Sequence, residues 1–359
     1  MATGDLCIEA KSAGRRKERN LSDQVGAPIP YCFGKDESQG VSMIDVSIVI
    51  VNWNTRQLLL DCIDSLFRET RDCTIEIIVV DNASTDGSPD AIRERFPEDV
   101  HLICNTENLG FARANNIGIR ECKGRYVCLV NSDIIALDRC VDRMCAYLDE
   151  HCEIGSLAPR TINEHHQLRR NCREFPSLRN TFCQALFLDR IFPRSRLFRG
   201  RILIDYDLDR VRDVEVLSGC FLMVRREALD QVGLLDETFF IYGEDVDWGR
   251  RFHDAGWKTV LYPKARAIHI GGASSKKANL RFLREKMKAD YQYWKKHHHP
   301  LARKLYVLII TFHYSIRTIG WALMYVLKKT NRSHSLDKLK ACAAQAQWHL
   351  LNMGRKKVF

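Results

Sequence analysis

The stretch Tyr126-Val127-Cys128-Leu129-Val130-Asn131-Ser132-Asp133 decides the fold. Its five apolar residues in succession, followed by three polar ones, predict a strand that is buried on both faces. Open α/β sheets bind ligands at the carboxyl ends of such strands, so Asp133 is predicted to face a crevice. There its carboxylate, beside Asn131 and Ser132, could hold a divalent cation against phosphate. The alternative is that Asp133 only caps a helix that begins near Leu137.

The composition and charge of the chain differ between its C-terminal segment and the rest. With 359 residues and 45% apolar side chains, the chain can build a sizeable core. Residues 276–359 carry a net charge of +16 and residues 1–275 carry −6, so the basic character belongs to the C-terminal segment. The fourteen cysteines contain no C-x-x-C pair, and several lie in apolar runs. This usage predicts reduced cytosolic thiols.

Residues 1–42 lack any apolar period and contain scattered Gly, Ser and Pro. Such a segment cannot bury enough surface to offset its ordering entropy, so we expect it to be disordered. Met43 stands just before the first strong strand, and we expect it to be the true translational start. The alternative is that residues 1–42 form a basic arm that touches nucleic acid or membrane.

The segment from residue 43 to residue 275 alternates strands with helices. Strands are predicted at Val46–Val51, Ile75–Val80, His101–Cys104 and in the stretch that ends at Asp133. This alternation specifies a doubly wound, mostly parallel sheet, with the polar loops gathered at one edge. The polar loop residues that are candidates for contact with a nucleotide are Asn52, Asn54, Asp81, Asn82, Asn108, Gly110, Arg113, Asn131 and Ser132.

Two of these loops suggest particular contacts. Asp81 could accept a hydrogen bond from a base imide or a ribose hydroxyl, although an Asx-turn that only shapes the loop is the alternative. The helix entry at Gly110 could present backbone amides and Arg113 to phosphate, or both residues could be structural. Neither loop is diagnostic alone.

Residues 155–204 contain ten Arg and no Lys. Because guanidinium groups bind phosphate through two parallel hydrogen bonds, this stretch could form a cradle for a diphosphate-bearing acceptor. A solvated charged face is the alternative.

Two further motifs carry candidate chemistry. Glu244, Asp245 and Asp247 lie at a predicted helix start, where the helix dipole favours acids. Glu244 beside Asp245 at the mouth of a cleft could also provide an acid or base with a raised pKa. His269 precedes two glycines and is either a structural histidine or a metal ligand.

The C-terminal segment predicts helices that touch a membrane. Leu305–Leu327 is apolar and long enough to span a bilayer, but Arg317 near its centre makes spanning costly and favours a helix lying in the interface. A further amphipathic helix is predicted at Leu336–Leu351. We expect an anionic-membrane anchor, with a soluble helical cap as the alternative.

Taken in order, the motifs resemble a known family. They are Val46–Thr55, Val80–Ser84, Asn108–Gly118, Asn131–Asp133, Ser218–Val224, Glu244–Asp247 and His269–Gly272. As a set they resemble the inverting family 2 glycosyltransferases, in particular the bacterial rhamnosyltransferase-like branch, over about residues 44–275. The resemblance implies the Rossmann-like GT-A fold of nucleotide-diphospho-sugar transferases over residues 43–275. Residues 276–359 would then be a basic, amphipathic helical extension.

The resemblance also implies roles for residues. Asp133 matches the last acid of the family's D-x-D motif and would bind the metal, with His269 as a further metal contact. Asp81 matches the acid that contacts the base, and Asp245, with Glu244 beside it, matches the catalytic base. Asn131 departs from the motif's first acid and leaves one charge fewer for the metal.

The activity implied is inverting transfer of a sugar, such as rhamnose, from a dTDP- or UDP-sugar with help from Mn²⁺ or Mg²⁺. The acceptor would be an oligosaccharide or a polyprenyl-diphosphate-linked sugar used in cell-surface polysaccharide synthesis. We expect a peripheral protein on the cytoplasmic face of the inner membrane, with an anionic membrane surface and no nucleic acid among its partners. A nucleotidyltransferase and a non-catalytic nucleotide-sugar-binding protein remain alternatives, although Asn52-Trp53-Asn54-Thr55 is not the Gly-rich basic loop that a nucleotidyltransferase needs.

Overall fold

A computed structural model describes residues 43–202, 209–271, 279–327 and 332–352. The expectations for residues 1–42 therefore concern residues outside the described ranges. All described residues belong to one compact unit.

The first half of the described chain alternates strands and helices as predicted. Its elements are β1 (Val46–Asn52), α1 (Arg56–Glu69), β2 (Ile75–Asp81), α2 (Ser88–Arg95), β3 (Val100–Cys104), α3 (Phe111–Glu121), β4 (Tyr126–Asn131), β5 (Ile134–Leu137), α4 (Cys140–Glu150) and β6 (Ile154–Ile162).

The second half is richer in short elements. They are β7 (Leu168–Arg169), β8 (Cys172–Arg173), α5 (Leu178–Ala185), α6 (Leu188–Ile191), β9 (Arg212–Asp213), β10 (Val216–Leu217), β11 (Phe221–Arg225), α7 (Arg226–Val232), α8 (Glu244–Asp254), β12 (Lys258–His269), α9 (Asn279–His297), α10 (Pro300–Val326) and α11 (Arg332–Asn352).

The central sheet has the strand order β3-β2-β1-β4-β11-β6-β12-β5, with β7 and β9 attached at its side. Strands β3, β2, β1 and β4 pair in parallel, whereas β11 runs antiparallel to both β4 and β6. Strand β12 is parallel to β6 and antiparallel to β5. Six of these eight strands thus point in one direction, which confirms the predicted, mostly parallel sheet.

Helices cover both faces of this sheet. In β1, Val46, Ile48 and Ile50 belong to one buried cluster, which includes residues of α1 and α4, and Val49 belongs to another, which includes residues of α3 and α8. Successive side chains of a strand point to opposite faces, so this division requires helices on both sides. Because helices cover both faces, the polar residues at the strand ends lie at the edge of the sheet that remains accessible.

The chain after Asp133 differs from the capping alternative. Residues Ile134–Leu137 form β5, which pairs with β12, and α4 begins only at Cys140. Asp138 and Arg139 adopt positive φ angles that turn the chain between the two elements. Asp133 therefore caps no helix near Leu137, and that alternative is wrong.

The C-terminal helices pack on the rest of the molecule. Tyr291, Tyr293 and Trp294 of α9 are buried in a cluster that also contains Phe175 and Val246. Helix α10 is long and apolar enough to cross a membrane by length and composition, and only 11% of its most apolar window is buried. Helix α9 is thus part of the protein core, while α10 buries few of its residues fully.

Candidate active site

A cleft of about 530 Å³ lies at the carboxyl ends of β1 and β4, between the end of β12 and the start of α8. Nine of the residues singled out from the sequence line it, although they are spread over more than 180 positions of the chain. They are Asn82, Asn108, Gly110, Asn131, Ser132, Asp133, Glu244, Asp245 and His269.

Three other candidates lie behind the cleft wall and hold its loops together. Asn52 is fully buried and donates a hydrogen bond from its amide to Asp81 (2.8 Å). The second oxygen of Asp81 accepts from the backbone N–H of Ser84 (2.8 Å), which is the Asx-type contact that we gave as the alternative. Asn54 accepts from the backbone N–H of Thr85 (2.7 Å). None of the three lines the cleft.

A chain of hydroxyl contacts connects these loops to the end of β4. Thr55 donates from Oγ1 to Asn52 (2.6 Å), and the same hydroxyl lies 2.7 Å from Ser132 Oγ. Because Thr55 has one hydroxyl proton, Ser132 must be the donor in the second contact. Sequence reasoning did not identify Thr55, which fixes the position of Ser132 beside Asp133.

Two backbone amides at the entry to α3 form hydrogen bonds within the protein. Gly110 has φ +85°, and a Cβ there would lie 2.4 Å from the carbonyl oxygen of Phe240. That carbonyl accepts the N–H of Phe111 (2.6 Å), and Asn108 accepts the N–H of Gly110 (3.0 Å). The N–H groups of Gly110 and Phe111 therefore have protein acceptors, which agrees with the structural alternative given for this loop.

Arg113 lies away from the cleft. Its side chain is 56% exposed, and its Nε is 4.0 Å from Glu237. An exposed ion pair at this distance contributes little to stability, so the pair with Glu237 holds the Arg113 side chain only weakly.

Asp133 and His269 face each other across the end of the sheet. The pairing of β12 with β5 sets His269 opposite Ile134, and its Nε2 lies 3.4 Å from Asp133 Oδ1. Asp133 Oδ2 accepts the N–H of Gly271 (3.0 Å). Burial alone would lower the pKa of His269, but hydrogen bonds to Asp133 and Cys220 outweigh it and raise the pKa to about 10.

This pair fits a cation site with few protein ligands. The carboxylate and imidazole are both metal donors, and they converge at the wall of an open cleft. Within the described ranges, no group of three or more His, Cys, Asp or Glu side chains could hold a metal. A cation here would take its remaining ligands from water and phosphate oxygens, as Mg²⁺ commonly does. His269 would have to lose its proton to bind it.

Two adjacent carboxyl groups at the start of α8 have different surroundings. Glu244 is buried, its Oε2 has no hydrogen-bond partner, and burial together with the charge of Asp245 raises its pKa to about 8. Asp245 accepts from Arg173 (2.5 Å) and from the N–H of Val246 (2.8 Å). The two neighbours therefore differ: Asp245 is paired with the Arg173 guanidinium, whereas the raised pKa leaves Glu244 largely protonated at neutral pH.

Asp247, the third acid of the motif, points away from the cleft. Its fully buried side chain contacts Arg251 (3.0 Å), Lys296 (2.8 Å) and His297 (2.7 Å). Burial opposes ionisation, but the bonds from His297 and Lys296 prevail and lower the pKa of Asp247. Asp247 therefore joins α8 to α9.

Sequence reasoning missed several residues of the cleft. Arg170 and Arg173 come from the Arg-rich stretch, which gave no reason to prefer them over its other eight arginines. The aromatic residues Trp53, Tyr242 and Phe282 also line the cleft, and flat apolar faces of this kind suit nucleobases and sugar rings. For Trp53 and Tyr242, the sequence feature that could have identified them is their position beside the polar motifs.

Comparison with known proteins identifies the fold and family. The solved structure of GalNAc-T7 with UDP, GalNAc and Mn²⁺ matches with a TM-score of 0.51 and 15% identity, over 70% of this chain and 48% of that one. This likeness confirms the GT-A fold.

Sequence relatives agree with the structural match. The N-acetylglucosaminyl-diphospho-decaprenol L-rhamnosyltransferase of Mycobacterium tuberculosis is 32% identical over 210 residues, which are 54% of this chain and 66% of that protein. Glycosyltransferase GlyG of Streptococcus pneumoniae is 31% identical over 107 residues, 29% of this chain and 35% of that protein. The matched part is thus less than two thirds of either relative. The sequence profile described as Glycosyl transferase family 2 matches residues 47–233, just over half of the chain, and the chain belongs to that family, in its rhamnosyltransferase-like branch.

Proposed function

We propose that this glycosyltransferase moves a sugar, with rhamnose as the first candidate, from a dTDP- or UDP-sugar to a polyprenyl-diphosphate-linked acceptor, with inversion at the anomeric carbon. The observation that carries the proposal is the meeting of Asp133, His269, Glu244 and Asp245 in one cleft. The acceptor class is suggested by the name of the mycobacterial relative. The product would serve cell-surface polysaccharide synthesis.

The proposed reaction is a single displacement. The acceptor hydroxyl oxygen bonds to the anomeric carbon while the bond from that carbon to the phosphate oxygen breaks, and Asp245 takes the hydroxyl proton. The hydrogen bond from Arg173 orients the Asp245 carboxyl group before the acceptor arrives. A divalent cation, Mn²⁺ or Mg²⁺, at Asp133 and His269 would supply charge stabilisation to the leaving nucleoside diphosphate.

A panel of nucleotide sugars tests the donor. We expect a dTDP- or UDP-sugar to raise the melting temperature in the presence of Mn²⁺, and to be slowly hydrolysed without acceptor. Binding without hydrolysis or transfer would favour the non-catalytic alternative. Release of pyrophosphate from a nucleoside triphosphate and a sugar phosphate would instead indicate a nucleotidyltransferase.

We also propose that α10 lies in the interface of an anionic membrane, on the cytoplasmic face. Its exposed apolar residues are spaced three or four positions apart and so form one stripe: Leu301, Leu305, Leu308, Phe312, Ile316, Ile319, Leu323 and Val326. A helix with such a stripe binds the boundary between headgroups and acyl chains.

Flotation with vesicles tests the membrane proposal. We expect binding to vesicles that contain phosphatidylglycerol and release at high salt, because salt screens attraction to anionic lipid. Retention at high salt would instead indicate a spanning helix. Failure to float at low salt would refute both modes.

A further inference from the structure

A second cavity, of about 320 Å³, lies between α5, α6, α9 and α10. It shares Arg173 and Ile202 with the catalytic cleft, so the two spaces have a common wall. Arg173 is also the residue that pairs with Asp245. A molecule in the second cavity would therefore lie next to the candidate base.

The cavity is strongly basic. Its lining contains Arg173, Arg190, Arg201, Lys286 and Arg317 but only two carboxylates, those of Asp189 and Asp290. The cations outnumber the acids by three, and like charges gathered around one space repel each other. An anion of two or three charges would relieve this imbalance.

Not all of these cations are neutralised by the protein. Arg201 contacts Asp290 (3.1 Å) and Arg173 contacts Asp245. Among the residues that the structure describes, ion pairs are found for Arg173 and Arg201 but not for Arg190, Lys286 or Arg317. The Nε groups of Arg201 and Arg317 are moreover buried without a hydrogen-bond acceptor. Guanidinium groups with unused donors suit phosphate oxygens.

Apolar side chains of the same helices are exposed to solvent. Phe182 of α5 and Leu186, which follows that helix, are 49% and 36% exposed. Ile191 of α6 is 63% exposed, and Phe312 and Ile316 of α10 are 52% and 38% exposed. A basic cavity whose own helices carry exposed apolar groups matches an amphiphile with an anionic head and a hydrocarbon chain. Free pyrophosphate has no apolar part that could contact these exposed side chains.

We propose that this cavity binds the diphosphate of a lipid-linked acceptor, with the hydrocarbon chain on the apolar surface of α5, α6 and α10. The inference rests on the proposed function and names the acceptor subsite for it. With the diphosphate held there, the sugar attached to it extends past Arg173 into the cleft, where its hydroxyl meets Asp245.

Calorimetry with the full chain and farnesyl diphosphate as the probe tests the subsite. Each of Arg190→Gln, Lys286→Gln and Arg317→Gln should weaken binding roughly tenfold or more, because each removes a charge-assisted contact. Lys304→Gln, an exposed residue of α10 outside the cavity, removes the same charge and should change affinity less than about twofold. Arg317→Lys, which keeps the charge, serves if a Gln variant does not fold.

Three comparisons complete the test. Inorganic pyrophosphate and farnesol should each bind more weakly than farnesyl diphosphate, and pyrophosphate that binds as tightly would overturn the lipid assignment. Saturating UDP with Mn²⁺ should not displace the probe, and displacement would place it in the cleft instead. Unchanged probe affinity in all three cavity variants would also overturn the subsite.

Donor hydrolysis separates this inference from the proposed function. Cavity variants should hydrolyse nucleotide sugar at the wild-type rate, because hydrolysis needs no acceptor. If hydrolysis and transfer are absent in the wild type while the probe binds and the variants weaken it, the proposed function fails and a lipid-diphosphate site remains. If hydrolysis is present and the probe does not bind, only the subsite fails.

Discussion

The two sides of the cleft use polar side chains differently. On the side of β1 and β2, Asn52 and Asp81 bond to each other and to backbone groups of neighbouring loops, and both are buried. On the side of α8 and β12, Glu244, Asp245 and His269 line the open space. The first side shapes the cleft and the second can perform chemistry in it. The side chains of the first side are therefore committed to neighbouring loops, whereas those of the second side are accessible from the cleft.

The largest expected effect concerns the chemical side. Asp245→Asn keeps the size of the side chain and removes the base, so transfer should fall roughly 10² to 10⁴-fold. Nucleotide-sugar affinity and melting temperature should stay near normal, because the base acts only on the acceptor. Steady-state kinetics with the identified donor measure this, and Glu244→Gln should reduce transfer less. A dead Glu244→Gln beside an active Asp245→Asn would move the base by one residue.

Removal of Asp133, the carboxylate proposed to hold the cation, should abolish metal-dependent binding of the nucleoside diphosphate. Asp133→Ala should eliminate the Mn²⁺-dependent part of nucleoside diphosphate affinity, since no other acid lies in the Asn131-Ser132-Asp133 triplet. His269→Ala should weaken it less, because a neutral ligand contributes less against a hard cation. Calorimetry with and without Mn²⁺ decides. Unchanged metal-dependent affinity in Asp133→Ala would move the site elsewhere.

Asp247, the buried acid of the same motif, should affect stability when it is substituted. Asp247→Asn leaves Arg251, Lys296 and His297 facing a neutral group and should cost about 3 kcal/mol of unfolding free energy. Urea denaturation measures this. Asp254→Asn, which removes an exposed pair with Arg250 on the same helix, should cost less than about 1 kcal/mol. Equal losses in the two variants would contradict the assignment.

A pH dependence of stability is expected from Glu244. Its pKa is raised from 4.5 to about 8 in the folded protein, so the folded state binds more protons than the unfolded state between these values. This group therefore lowers stability as the pH rises from about 4.5 to 8. Glu244→Gln removes that term, and its melting temperature relative to wild type should increase between pH 5 and pH 8. A constant difference would show that Glu244 titrates normally.

The sequence predicted the sheet and many polar residues of the cleft because both follow from local patterns. Buried strands are apolar runs, and the topology of a parallel sheet gathers their polar ends, which is why Asn131–Asp133 and Asn82 were found. The pairing of Arg173 with Asp245 joins residues 72 positions apart. The orientation of Asp81 into its own loop likewise depends on Asn52 and Ser84. No local pattern encodes such contacts, since they arise only when separate elements pack.

Asp247 also decides how the molecule unfolds. Two of its three partners, Lys296 and His297, come from α9, and the aromatic residues of that helix pack against Val246 next to the candidate base. A chain cut at residue 275 would leave a fully buried carboxylate with Arg251 as its one remaining partner among these three. The cleft and the C-terminal helices should therefore melt in a single cooperative transition. Shortening the chain to remove the proposed membrane contact should then abolish activity through misfolding, even though every candidate catalytic residue and metal ligand precedes the cut.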